Sequence, residues 1–237
     1  MNAGLQIIDL GPIAYAPAYA EQLRHVDEVL AAREEPAAGV GRVLLVEHVP
    51  PVITVSRREG AANHLLASRE VLASMGVEIA ETDRGGDITY HGPGQLVVYP
   101  ILDLNRLGLG LHAYMRMLEE VVIAVCARFG VVGERDGSAT GVWVRPPSGG
   151  PSAKVCAMGV RVKRWVSMHG LALNVTTNLE HFGLIVPCGL VGRPVTSLHR
   201  QLGDACPEME RVKAAMGEEL ARAVSACLAS RESDAAR

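Results

Sequence analysis

Two stretches of this chain carry residue types that do chemistry. One is Arg84-Gly85-Gly86-Asp87-Ile88-Thr89-Tyr90-His91-Gly92-Pro93-Gly94-Gln95, and the other is Pro187-Cys188-Gly189, with Lys154 upstream. Glycine lets backbone amides approach a ligand with no Cβ in the way, and such a turn can direct N–H groups at a carbonyl or phosphate oxygen. Glycine-rich turns between strands are common, so it is Arg84 and His91 at the two ends that make this one a candidate cradle. Cys188 follows the apolar run Leu184-Ile185-Val186. A cysteine inside an apolar strand is usually a small buried hydrophobe, whereas one in a Pro-Cys-Gly turn reads as exposed and reactive. A free thiol titrates near about 8.5 and needs a cationic neighbour to be largely thiolate at neutral pH. Lys154 opens an extended stretch and can supply that charge, although spacing alone does not bring the two together. The pair of stretches suggests an enzyme that holds an acyl group on a thiol.

Composition also sets Lys154 apart. Of 23 basic residues, only Lys154, Lys163 and Lys213 are lysines. Arginine stays charged at any working pH, while lysine loses its proton where its surroundings allow. Lys163 and Lys213 fall in polar stretches and read as exposed. Cys126, Cys156, Cys206 and Cys227 read as packing, and His25, His112 and His199 as surface or boundary residues. His169 differs, because it opens the small-residue strand His169-Gly170-Leu171-Ala172-Leu173-Asn174-Val175, which can line a pocket. Two basic clusters, Arg57-Arg58 and Arg161, Lys163 and Arg164, read as solvated turns or as landing patches for an acidic partner.

The 237 residues, 49% of them hydrophobic, can bury a sizeable core, and one domain is the expectation: residues 1–230, with 231–237 a frayed tail. A net charge of -3 excludes a nucleic-acid binder by charge alone. No apolar run approaches the roughly 18 residues of a membrane span, and the first residues lack a secretory pattern. The five cysteines form no CxxC pair, which argues against zinc and for a reducing, cytoplasmic compartment. No metal or cofactor is expected.

The elements that must position these residues follow from periodicity. Strands are expected at 5–10, 43–49, 52–55, 77–81, 88–90, 95–102 and 140–144, with a hairpin of 153–162 and 168–175 turning near Arg164-Trp165. Helices are expected at 16–33, at 68–76 behind a Ser68 cap, at 111–129 and at 207–229. On the third, Met115, Leu118, Val122, Val125 and Phe129 line one face, and Gly130 stops it. Residues 146–152 form a loop. Strands alternating with helices in the first half, then consecutive strands, predict an α/β (α+β) fold. It would be a mixed β-sheet with flanking helices rather than a simple doubly wound sheet.

The residues also resemble a known family. Arg84-Gly85-Gly86-x-x-Thr89-Tyr90-His91-x-x-Gly94-Gln95-x-x-x-Tyr99, Thr140-Gly141-Val142-Trp143-Val144, the run Lys154 to Val162, His169 to Val175 and Pro187-Cys188-Gly189 occur in order, as in lipoyl(octanoyl) transferases of lipoate biosynthesis. The similarity spans about Leu5 to past Leu198, and the longer 146–152 loop is its visible departure. It implies a biotin/lipoate protein ligase catalytic-domain-like fold. It also implies transfer of an octanoyl group from octanoyl-acyl carrier protein to a lysine of lipoyl domains. The acceptors implied are those of 2-oxo acid dehydrogenase acyltransferase subunits and of glycine cleavage H protein. By the same resemblance Cys188 is the acyl-thioester nucleophile and Lys154 its activating acid/base. Substrate binding would fall to Arg84, Gly85, Gly86, Asp87, Ile88, Thr89, Tyr90, His91, Ala157, Met158, Gly159, Gly170, Leu171 and Ala172, with His169 and Asn174 supporting. No nucleic acid or membrane partner is expected. The rival readings are an ATP-dependent lipoate or biotin ligase, which needs no nucleophilic cysteine, and a non-catalytic module that binds acyl carrier or lipoyl domains.

Overall fold

Alternating apolar residues build two sheets, seen in a computed structural model that describes residues 4–35, 38–147, 149–186 and 193–235. The strands are β1 (Leu5–Ile13), β2 (Gly41–His48), β3 (Val52–Ser56), β4 (Glu78–Thr82), β5 (Ile88–His91), β6 (Gln95–Leu102), β7 (Gly133–Asp136), β8 (Ala139–Val144), β9 (Ala153–Lys163) and β10 (Val166–Asn174). Around them lie α1 (Tyr15–Ala31), α2 (Arg69–Ser74), α3 (Leu104–Leu107), α4 (Leu111–Arg128), α5 (Leu198–Leu202) and α6 (Met209–Ala235). The large sheet runs β1-β2-β6-β10-β9-β8-β7 and the small one β4-β3-β5. In each, one pair is parallel (β1 with β2, β3 with β4) and the rest antiparallel. This is the expected mixed α+β architecture, with the strands divided between two sheets.

Strand β6 shows why helices cover both faces of the large sheet. Leu96, Val98 and Leu102 point into one core with α4 and α6, while Val97, Tyr99 and Ile101 point into another with α1. A strand apolar on both faces must be buried on both. The small sheet has its own core of Ile53, Leu72, Val77, Ile88, Tyr90, Phe182 and Ile185.

Several expectations shift for physical reasons. Gly11-Pro12 does not end β1, because β1 is an edge strand and a bulge between Asp9 and Gly11 carries it on to Ile13. The polar run Gly-Glu-Arg-Asp of β7 lacks any apolar alternation, and β8 supplies its pairing. The buried stripe of α4 includes Tyr114, Met117, Val121 and Cys126, which leaves Met115 only half-buried. Helix α6 continues to Ala235, and Arg231 donates to the carbonyls of Asn105 and Arg106. Lys213 is buried rather than exposed, with Asp9 and Glu210 each 2.9 Å away. His25 is likewise buried on α1, with Glu28 at 3.2 Å.

Candidate active site

Lys154 stands at the start of β9, with only 8% of its surface exposed. Its Nζ donates to the Thr140 carbonyl at 3.0 Å and lies 4.8 Å from the centre of the Trp143 ring. A carbonyl dipole and an aromatic face both attract an ammonium. Beneath Nζ, strand β8 depends on Gly141, where φ is +123° and an added Cβ would sit 2.5 Å from the Cys156 carbonyl oxygen. Buried Glu119 of α4 accepts from the Gly141 amide at 3.2 Å and so ties this strand to the core. The Arg193 guanidinium also lies over the Trp143 ring, 4.1 Å from its centre, and is paired with Asp136.

Cys188, with Pro187 and Gly189, lies outside the described residues. The chain on either side of it is placed. Before it, Val186 donates to the His64 carbonyl at 2.8 Å, and Leu65 bridges to Ile185. After it, Val195 pairs with Lys154, through bonds of 2.9 Å from Lys154 N to Pro194 O and from Thr196 N to Lys154 O. The remaining cysteines are poor candidates. Burial pushes Cys126 up to about 12 and Cys156 higher still, and raises Cys206 and Cys227 too.

A cleft lies between the two sheets beside Lys154, formed by two hollows that share Thr89 and Ala157. Near Lys154 it is lined by Trp143, Thr89, Gln95, Ala157, Asn174 and Phe182, and beyond Ala157 by Met158, Gly159, His169, Gly170, Leu171 and Ala172. Arg84, Thr89 and His91 face it from the small sheet. Strand alternation decides which cradle residues reach it. Thr89 and His91 point in, while Ile88 and Tyr90 pack into the core of the small sheet behind them. Asp87 is buried beside His64, with 2.8 Å between Oδ2 and Nδ1, and does not line the cleft. Gly85 joins the sheets by donating to Val160 O at 2.9 Å, and Gly86 follows with φ +97°. Gly159 permits this approach, since a Cβ there would meet the Gly85 carbonyl oxygen at 2.6 Å. The Arg84 guanidinium bonds Thr54 and the carbonyls of Gly85 and Asp87, holding the cradle to β3.

Buried hydrogen bonds fix the cleft wall. His91 Nδ1 lies 2.7 Å from Gln95 Oε1, Gln95 Nε2 donates to Asn174 Oδ1 at 2.9 Å, and Asn174 Nδ2 donates to Thr196 O at 2.9 Å. The relay thus reaches the segment that pairs with Lys154. Burial, then the neighbouring His48, holds His91 well below the ordinary histidine range. Burial also lowers His48 to about 4, and its Nε2 lies 2.6 Å from the Tyr99 hydroxyl. His169 takes φ +55°, a left-handed conformation uncommon for a bulky residue. Its backbone N–H donates to Gln22, its ring stacks on Tyr19, and its Nε2 lies 2.7 Å from Asp83. Burial, Arg84 and Arg161 push His169 down to about 3, so its Nε2 proton is donated to an Asp83 already paired with Arg161.

Sequence reasoning missed Tyr15, Thr54, Val97 and Arg193 as lining residues, and His48 and Asp83 as supports. His48 stands out as a polar residue at the end of an apolar strand, whereas Asp83 lies in the polar run Glu81-Thr82-Asp83-Arg84 and carries no such signal. Of the second basic cluster, Arg161 is tied to Asp83, and Lys163 lies 3.7 Å from Asp27. Among the described residues, no group of three His, Cys, Asp or Glu is arranged to hold a metal ion.

Residues 18–221 match the family of the lipoyl protein ligase A/B catalytic domain. An octanoyltransferase of Bacteroides fragilis is 45% identical over 212 residues, covering 90% of this chain and 94% of that one. An octanoyltransferase of Syntrophobacter fumaroxidans is 48% identical over 197 residues, covering 83% and 81%. Among solved structures, a bipartite lipoate protein ligase from Thermoplasma acidophilum superposes with a TM-score of 0.68 at 14% identity, over 93% of this chain and 83% of that one. The fold is therefore that of the lipoate ligases, and the chain belongs to the lipoyl protein ligase A/B catalytic-domain family.

Proposed function

We propose that this chain transfers an octanoyl group from octanoyl-acyl carrier protein to a lysine of a lipoyl domain, through a thioester on Cys188. It is an acyltransferase acting on octanoyl groups, in keeping with its 44–48% identity to relatives named octanoyltransferase. The single observation that carries the mechanism is the pairing of Val195 with Lys154. It sets the chain seven residues past Cys188 against the one lysine in the cleft, while His64 holds the chain two residues before it.

The Lys154 ammonium favours the Cys188 thiolate by charge pairing. The thiolate attacks the thioester carbonyl carbon, and the carbon–sulfur bond to the carrier breaks. The leaving carrier thiolate takes a proton from Lys154. The substrate lysine, as a neutral amine, then attacks the Cys188 thioester and gives a proton to the now neutral Lys154. The Cys188–acyl bond breaks and the thiolate–ammonium pair is restored. Thioester to amide is downhill, so no ATP is required. The cleft along Ala157, Met158, Leu171 and Ala172 offers the acyl chain an apolar wall, and Arg84, Thr89, His91 and Gly159 frame it. Lipoyl domains of 2-oxo acid dehydrogenases and of glycine cleavage H protein are the acceptors we infer, in one catalytic domain spanning 1–230 and working in the cytoplasm. Among the described residues no helix is long and apolar enough to cross a membrane.

Intact-mass measurement after incubation with octanoyl-acyl carrier protein tests this. Wild type should gain one octanoyl mass without ATP, and Cys188→Ser should gain none and lose turnover by roughly a thousandfold or more. Near wild-type turnover in the serine variant would sink the assignment.

A further inference from the structure

A second hollow reaches Lys154 from outside. This groove, of about 590 Å3, extends from Arg58 past Gly85 and Gly86 to Gly159, Thr140 and Lys154, with His112 and Arg116 of α4 along its other bank. Its carboxylates are already matched. Glu119 holds Arg116 at 2.6 Å and Arg135 at 3.1 Å, and Asp136 is paired with Arg193. Arg58 is exposed, and its side chain has no partner among the described residues. The charge left over is therefore positive, at Arg58 and at Lys154. Between them the bank is glycine, so a thin chain can lie against the backbone.

We propose that this groove takes the phosphate-ended amide arm on which a carrier protein presents its acyl thioester, and that Arg58 binds the phosphate. The inference rests on the transfer reading above, which requires a thioester to arrive at Lys154. A donor arm of this kind is narrow and anionic. The acceptor instead offers a lysine from a folded domain, and an approaching cation gains nothing from Arg58. A guanidinium suits a phosphate, since its planar N–H groups pair with two oxygens at once.

The test uses two small donors, octanoyl-phosphopantetheine and octanoyl-pantetheine, which differ only in the phosphate. Acylation of the whole protein is followed by intact mass. Wild type is expected to favour the phosphorylated donor roughly tenfold in kcat/KM. Arg58→Ala should bring that ratio close to unity. Arg57→Ala, one residue along and outside the groove, should keep it. A ratio near unity in wild type, an unchanged ratio in Arg58→Ala, or an equal loss in Arg57→Ala overturns the phosphate site while acylation itself proceeds. If neither donor acylates the wild-type protein, the transfer reading falls, and this one with it.

Discussion

The cleft and the groove both end at Lys154, yet they are built in opposite ways. The cleft lies between two sheets, and its wall is a closed relay of buried polar groups from His91 through Gln95 and Asn174 to Thr196. The groove lies between a glycine turn and α4, and the charged side chains that line it mostly cancel one another or pair with arginines beside it. Buried polar groups cost free energy unless every partner is present, so the cleft holds one shape or fails. Exposed charges cost little to rearrange. The contrast suits a fixed acyl seat beside an entrance that partners visit and leave.

The sharpest way to break this picture is at the shared residue. Lys154→Arg keeps the charge but removes the base that the proposed mechanism requires, and on that mechanism transfer should fall by roughly a hundredfold or more. Single-turnover acylation and steady-state turnover measure it. If the arginine variant is as fast as wild type, Lys154 supplies charge alone.

The cleft wall should be the more expensive of the two regions to damage. Gln95→Ala strands His91 and Asn174 in a buried site and should cost about 1–3 kcal/mol of stability. Arg116→Ala, on the groove bank, should cost about 1 kcal/mol or less, although it frees one side of Glu119. Denaturant unfolding of both variants compares them directly, and equal losses would erase the distinction.

Acid should act on the cleft first. His48 is lowered to about 4 from an ordinary value near 6.5, so between those pH values the unfolded chain binds a proton that the folded chain excludes. Stability from this burial is complete above about pH 6.5 and is lost as pH falls toward 4, at about 1.4 kcal/mol per pH unit. His48→Gln should flatten the dependence of Tm on pH across that window. An unchanged slope would mean that His48 is charged in the fold.

Salt should act on the entrance. Arg161 and Lys163 are already engaged with Asp83 and Asp27, which leaves Arg57 and Arg58 as the stronger lure for an acidic carrier. Raising ionic strength should lower kcat/KM for octanoyl-acyl carrier protein by a few-fold, because exposed charges are screened beyond roughly 8 Å. Neutralising Arg57 and Arg58 should flatten the profile more than neutralising Arg161, Lys163 and Arg164. The reverse ranking would move the docking surface to the hairpin tip.

These contrasts are only partly legible in the sequence. Strand β6 and the hairpin can be read almost to the residue, because apolar alternation and turn chemistry are local. The cradle reads as one continuous binding segment, but β5 alternates, so within that strand Ile88 and Tyr90 serve the core while Thr89 and His91 meet the cleft. The scarcity of lysine singles out Lys154, although polar surroundings in the sequence mistake buried Lys213 for an exposed residue. Arg193, His48 and Asp83 cannot be placed from sequence, since each matters through a partner far along the chain: Trp143, Tyr99 and His169.

Trp143, one of two tryptophans, has both the Lys154 ammonium and the Arg193 guanidinium over its ring. Indole emission responds to charge placed against its faces, so the protein carries an optical gauge of its own chemistry. The other indole, Trp165, is half exposed at the hairpin turn and can be replaced by phenylalanine. What remains is a single fluorophore whose colour and brightness report the charges over the Trp143 ring.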